Sequence, residues 1–151
     1  MRFTVEPHLR LTLRQGTVYY MQHRDMTSAK PHYMIVLNHD PLSGHLLLLS
    51  CFTSNVNDAK RRLASIPETL VLVCPGEYAT LTVDSAIDCN DVFTLDIPEL
   101  EGKIKNQQAR PCADLPTAVI RRILAAVAAS KNVSREHQRL IADPVTATRK
   151  K

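Results

Sequence analysis

Apolar residues fall first into short runs of β type and then, towards the C-terminus, into a helical stripe. Residues 33–37 (YMIVL) and 46–52 (LLLLSCF) flank the turn-forming string Asp40-Pro41-Leu42-Ser43-Gly44, which predicts an antiparallel hairpin. The outer ends of such a hairpin lie side by side, so Lys30-Pro31 is expected beside Thr53-Ser54. Residues 69–74 (TLVLVC), closed by Pro75-Gly76, lack alternation and predict a strand buried on both faces. Residues 78–83 alternate, and residues 86–89 and 92–95 add short strands. That close spacing argues for a strongly bent sheet or a small barrel.

Upstream, residues 11–22 predict the first core strand, with Gly16 at a bend or bulge. Residues 1–10 alternate only roughly and are broken by Pro7-His8, as in an edge strand or an arm. Residues 23–29 form a polar loop, carrying Arg24 and Asp25, that is free to line a site. Residues 57–65 pair an Asn/Asp cap with helix formers before Pro67, predicting a short helix. Residues 100–113 are polar and predict a connecting loop. From Leu115 the period changes: Val119, Ile120, Ile123, Leu124 and Val127 form a stripe, with Asp114 to cap and Pro116 in the first turn. An amphipathic helix is expected to lie against the sheet. Ser134 caps a last helix reaching residue 142, and residues 143–151 read as a basic flexible tail. The division is one domain over residues 1–142 and that tail.

The length of 151 residues fits a single domain, and 44% apolar with 23% charged residues excludes a disordered or collagenous chain. No apolar run approaches the roughly 18 residues of a membrane span. The first residues lack the apolar core of a signal peptide, so a soluble, cytoplasmic protein without membrane contact is expected. Cys51, Cys74, Cys89 and Cys112 lack C-x-x-C spacing, which favours small buried thiols over zinc. The net charge of +4 hides a division. Residues 63–101 hold eight acidic residues and no Lys or Arg, whereas residues 102–151 hold eleven basic and three acidic. Folded onto separate faces, the basic part would attract phosphates; otherwise the charges solvate opposite sides.

The hairpin ends carry a resemblance. A cation and Pro (Lys30-Pro31), an apolar strand, and a strand ending in Thr53-Ser54 resemble the PemK/MazF family of toxin endoribonucleases, which has Arg-Pro and Thr-Ser there. Residues 13–20 (LRQGTVYY) resemble the family's first strand, and residues 84–96 (DSAIDCNDVFTLD) its late strand and polar turn. The similarity runs from residue 11 to about residue 130. It implies an α+β fold, a small SH3-like curved β-barrel with a C-terminal amphipathic helix. It also implies a homodimer that cleaves single-stranded RNA without metal or cofactor and is blocked by an antitoxin protein in its RNA groove. Lys30 and Thr53 match the family's catalytic pair. Three features depart from the family: Gly16-Thr17 replaces Gly-Asp, the loop over residues 22–29 lacks Gly-Ser-Glu-Gln, and Lys30 replaces Arg. Lysine keeps the charge but not the planar fork that grips phosphate. The alternative function is therefore a noncatalytic protein- or nucleic-acid-binding module of the same fold.

RNA cleavage without metal needs a base for the ribose 2′-hydroxyl, donors for the developing phosphorane charge, and an acid for the leaving oxygen. Lys30 is the candidate cation, Thr53 a hydroxyl for the phosphate, and Ser54 its support. For Lys30 to act as the base, burial or a cation such as Arg24 would have to loosen its proton. His23 and His32 are alternative acid/base groups, being closer to neutrality. Tyr20, with Tyr19 and Tyr33, offers faces on which bases can stack, or else these are half-buried strand residues. The plainer alternatives are a solvated Lys30, a Thr53-Ser54 cap on the following helix, and Lys60, Arg61 and Arg62 spread around that helix. Asp40 and Asp58 suit turn and cap positions, so neither a paired-carboxylate site nor a divalent-metal site is expected. A third, lesser reading is nucleic-acid binding through the basic residues 135–151.

Overall fold

The computed structural model describes residues 7–26 and 30–142, and the expected hairpin is its centre. Strand β2 (His32–Val36) pairs antiparallel with β3 (Leu46–Thr53), Met34 opposite Cys51 and Val36 opposite Leu49. A 3-10 turn at Pro41–Ser43 joins them. On its other side β2 pairs with β1 (Val18–Met21), which in turn pairs with β7 (Ala109–Cys112). β3 is the longest strand and divides its free edge. Leu46 to Leu49 bind β6 (Phe93–Asp96), while Phe52 and Thr53 bind β5 (Ser85–Asp88), which leads out to β4 (Leu70–Val73). The result is an α+β protein built on a seven-stranded antiparallel sheet. The sheet is open from β4 to β7 and does not close into a barrel.

Apolar runs without alternation are explained by a sheet covered on both sides. On one face Val18, Ile35, Leu48 and Phe52 meet Val119, Ile123 and Val127 of the helix α4 (Thr117–Ala129). On the other, Tyr19, Met34, Leu47 and Leu49 meet Leu9 of α1 (Pro7–Thr12) and Leu100 of α3 (Ile97–Lys105). The hairpin thus contributes to both cores with alternate residues.

Four expected elements take other forms. Pro7 opens helix α1 where an arm or edge strand was expected, because Pro fits a first helical position and the Thr12 hydroxyl returns to the His8 carbonyl at 2.9 Å. The first core strand accordingly starts at Val18 instead of residue 11. Residues 78–83 form turns: Tyr78 N–H donates to Cys74 O and Leu81 N–H to Tyr78 O, which sends Tyr78 and Leu81 to one side, into the core. The predicted loop over residues 100–113 contains most of α3 and all of β7. Pro98 stands in the first turn of α3, and Ile97, Leu100 and Ile104 form its apolar stripe.

β4 is a strand, but an outer one. Leu72 is 37% exposed, so the expected burial on both faces is not met. Asp114 does not cap α4; it takes the guanidinium of Arg14, and Pro116 occupies the cap position. The helix expected over residues 57–65 begins and ends earlier, with its cap at Asn55 instead of Asn57 or Asp58, and the last helix occurs as expected. Asn55 caps α2 (Val56–Arg62), and Ser134 accepts the His137 N–H at 3.2 Å to cap α5 (Arg135–Ile141). Among the described residues no helix is long and apolar enough to cross a membrane. The basic tail at residues 143–151 lies outside the described residues.

Candidate functional site

At the outer end of the hairpin a cleft of about 520 Å³ opens between the 23–26 turn, β2, β3 and the turn after β5. His32 and Thr53 both line it. Continuing the β2–β3 register two residues past the Met34 and Cys51 pair sets these two opposite one another. His32 is half-buried, and its Nε2 is buried with no hydrogen-bond partner. Such an atom carries an uncompensated desolvation cost, the condition in which an incoming proton donor or acceptor is most welcome. The Thr53 hydroxyl oxygen accepts the Asn55 N–H at 3.2 Å, and its proton has no acceptor among the described residues. Asn55 itself accepts the Asp58 N–H at 3.3 Å, so the helix cap lies two residues beyond Thr53.

The remaining expected site residues are distributed around this end of the sheet. Lys30 is exposed and does not line the cleft, so it lacks the burial that a lysine base requires. Ser54 is exposed and also outside the lining. Arg24 turns to α3, where one guanidinium nitrogen lies 2.7 Å from each Glu99 oxygen. Tyr20 stands on the other face of β1, beside Tyr33. His23, the second histidine candidate, is 2% exposed and spent on structure. Its Nε2 lies 2.7 Å from Thr94 O and its Nδ1 accepts the Asp25 N–H at 3.0 Å, tying the cleft's rim to β6.

The cleft also contains a carboxylate pair that the sequence reading did not expect. The turn Asp88-Cys89-Asn90-Asp91 brings Asp88 and Asp91 to the same wall, closed by the Asp91 N–H donating to Asp88 O at 3.2 Å. Spacing of two acids around an Asn turn was the available signal. Asp88 is committed to structure: one oxygen accepts the Asn90 N–H at 2.9 Å and the other Arg62 at 3.2 Å. Asp91 makes no side-chain hydrogen bond among the described residues. Loss of water in the cleft, and then the charge of Asp88, raise its carboxyl above the ordinary aspartate range. Asp58 likewise proves to be no cap. Its two oxygens take Arg61 at 2.6 Å and Arg62 at 2.9 Å, and the hydrogen bond from Arg62 is first among the causes that lower its pKa. Arg62, expected on a solvated helix face, thereby reaches the cleft wall.

Cys51 lines the same space, but burial, reinforced by Asp91, pushes its thiol up to about 12, so it is a neutral group and not a nucleophile. Its Sγ–H donates to Phe52 O at 3.2 Å. Among the described residues, no three His, Cys, Asp or Glu side chains converge as metal ligands. What the arrangement offers is one histidine nitrogen without a partner, one free hydroxyl proton and one raised carboxyl around a space of small-ligand size.

No family model matches the chain, and no match is found among curated proteins.

Proposed function

We propose that this protein is a PemK/MazF-like endoribonuclease of the toxin type, cleaving single-stranded RNA by acid–base chemistry at the outer end of the β2–β3 hairpin. The observation that carries the reading is His32 Nε2, buried and unpartnered in a cleft that also contains the free hydroxyl proton of Thr53. In the reaction His32 takes the proton of a ribose 2′-hydroxyl, and the 2′-oxygen attacks the adjacent phosphorus. The 5′-oxygen takes a proton from solvent water as it leaves, and protonated His32 returns its proton to solvent, giving a 2′,3′-cyclic phosphate and a 5′-hydroxyl end. Thr53 donates to a non-bridging phosphate oxygen. Lys30, two residues before His32, supplies positive charge at the rim. His32 and Thr53 thus supply the base and the donor from protein side chains, and solvent supplies the acid; the proposed reaction uses no metal or cofactor. The division of β3's edge between β6 and β5 supports the comparison with SH3-like barrels. A homodimer and an antitoxin covering the groove belong to the same proposal, as does a cytoplasmic setting.

One observation favours a second reading, a noncatalytic binding module of this fold. Asp25, Asp88 and Asp91 line the cleft, and its one guanidinium, Arg62, is already neutralised by Asp58 and Asp88. Such a lining repels phosphate and suits a basic segment of a partner protein.

Incubation of a long single-stranded RNA with the purified protein in EDTA separates the two. Fragments with cyclic phosphate ends, absent with a His32→Ala/Thr53→Ala variant, support the ribonuclease. Absence of cleavage across varied RNAs by folded protein overturns it in favour of the binding module.

A further inference from the structure

The outer end of β1 carries a second arrangement, on the opposite face of the sheet from His32. Tyr20 lies opposite Tyr33 of β2 on one side and opposite Arg110 of β7 on the other. The tyrosine rings are 4.7 Å apart between centroids, and the Arg110 guanidinium carbon sits 5.0 Å from the centre of the Tyr20 ring. Val18 and Ile35, next along the same face, are completely covered by the core beneath α4. The two tyrosines are half-buried and Arg110 is exposed, so the row lies where the covered face emerges into solvent.

Among the described arginines without a carboxylate partner, Arg110 is set apart by its aromatic seat. Arg14, Arg24, Arg62 and Arg122 each pair with a carboxylate, whereas Arg110 makes no ion pair among the described residues and rests on an aromatic face. Its side chain hydrogen-bonds Cys112 and no carboxylate, and its plane offers a second surface for stacking. Lys103, donating to Gln22 O at 3.2 Å just past β1, adds another cation at this sheet end.

We infer that Tyr20, Tyr33 and Arg110 form a stacking platform for a base of single-stranded RNA, a subsite that rests on the ribonuclease reading. A planar guanidinium over tyrosine presents the chemistry that binds an unpaired base by stacking and its phosphate by hydrogen bonds. Tyr33 directly follows His32 in β2, so a strand of RNA turning around the sheet end meets the platform and the cleft in succession. The platform selects for unpaired RNA because a base within a duplex cannot present its face.

The test uses the full chain carrying His32→Ala/Thr53→Ala, which prevents cleavage, and a short single-stranded oligoribonucleotide containing 2-aminopurine. Stacking is expected to quench the probe on binding. Adding Arg110→Ala is expected to weaken binding on the order of tenfold and relieve the quench, with Arg110→Lys restoring only part of it. Because Arg110 is exposed, its loss leaves the fold intact, and Tyr33→Leu provides an independent check. Unchanged affinity and quench in both variants overturn the platform while leaving the ribonuclease untouched if the unsubstituted chain still cleaves. Neither binding nor cleavage by the unsubstituted chain overturns both.

Discussion

Gly16 and Ile120 approach one another with no room for a side chain on the glycine. A Cβ there would stand 3.1 Å from Ile120 Cγ1 and overlap Cδ1, and Gly16 holds φ at +92°. The contact matters because Gly16 binds in two directions. Its N–H donates to Val36 O at 2.8 Å, and its carbonyl accepts the Leu115 N–H at 3.0 Å, which joins the hairpin to the entry of α4. Gly16→Ala is expected to cost about 2 to 4 kcal/mol, combining backbone strain with overpacking. Adding Ile120→Val, which removes Cδ1, should return part of this loss but not the backbone share. Urea unfolding of the four proteins of this cycle gives the coupling directly.

Two buried polar groups on the hairpin should respond to alanine with opposite signs. Asn38 accepts the Leu48 N–H at 2.7 Å and donates to Leu46 O at 3.0 Å, continuing the ladder beyond the end of β2. Asn38→Ala strands both backbone groups and is expected to cost about 2 kcal/mol or more. Ser50 is fully buried in β3, and its hydroxyl has no partner. Ser50→Ala removes an unsatisfied group and should be neutral or stabilising, by up to about 1 kcal/mol. Thermal or urea midpoints that fall for both variants would contradict this assignment for Ser50.

The hairpin was legible because its two apolar runs and the Asp40-to-Gly44 turn are contiguous, and each of them specifies local geometry. α3 was hidden because Ile97, Leu100 and Ile104 are separated by Glu99, Glu101, Gly102 and Lys103, so a true stripe is diluted by polar residues and a weak helix former. Residues 78–83 misled in the reverse way. Their alternation mimics a strand, yet the turn bonds from Cys74 and Tyr78 determine the path and direct Tyr78 and Leu81 together into the core. At the cleft, the hairpin register pointed to Thr53 but set it beside Lys30, and His32 stood out only as a histidine flanking the cationic loop. Asp91 had a local signal in the Asp88-to-Asp91 turn that was passed over, whereas the places of Arg62 and Arg110 depend on long-range packing, which local spacing does not encode.

Asp91 predicts a pH-dependent stability with a definite sign. Its carboxyl is raised in the folded protein, so between its ordinary and its raised value the native state holds the proton more tightly than the unfolded chain does. Stability from this group therefore falls as pH rises through that window, and the penalty is complete above the raised value. Asp91→Asn is expected to increase the melting temperature at pH 7 and to leave it unchanged at pH 3, where both states carry the proton. The carboxylates of Asp58 and Glu77 work in the opposite direction. Arg62 hydrogen-bonded to Asp58, and the Cys74 backbone N–H hydrogen-bonded to Glu77, lower their values, so the stability they contribute is lost as pH falls through the lowered range. An Asp58→Asn variant measured beside Asp91→Asn should show its deficit at pH 7 and lose it in acid.

His32 brings stability and the proposed chemistry into conflict, which makes it the sharpest test of the site. Its ring contributes a buried nitrogen with no partner, so His32→Phe keeps a flat aromatic ring, removes that nitrogen and, at this half-buried position open to the cleft, should leave the melting temperature equal or higher. The same change removes the proposed base, and cleavage of single-stranded RNA should fall on the order of 10² to 10⁴-fold in kcat. KM should change little, because the proposed binding of RNA rests on Lys30 and the aromatic row and not on the ring. Thr53→Ser should retain most activity, since the hydroxyl remains. Thr53→Val should lose it while releasing the Asn55 N–H to water, a small cost at this exposed bond. A His32→Phe protein that is folded, thermally intact and fully active would move the base elsewhere in the cleft, with Asp91 the remaining group able to hold and release a proton there. A variant that is inactive only because it has unfolded would instead make His32 a packing residue, and the melting curve distinguishes the two.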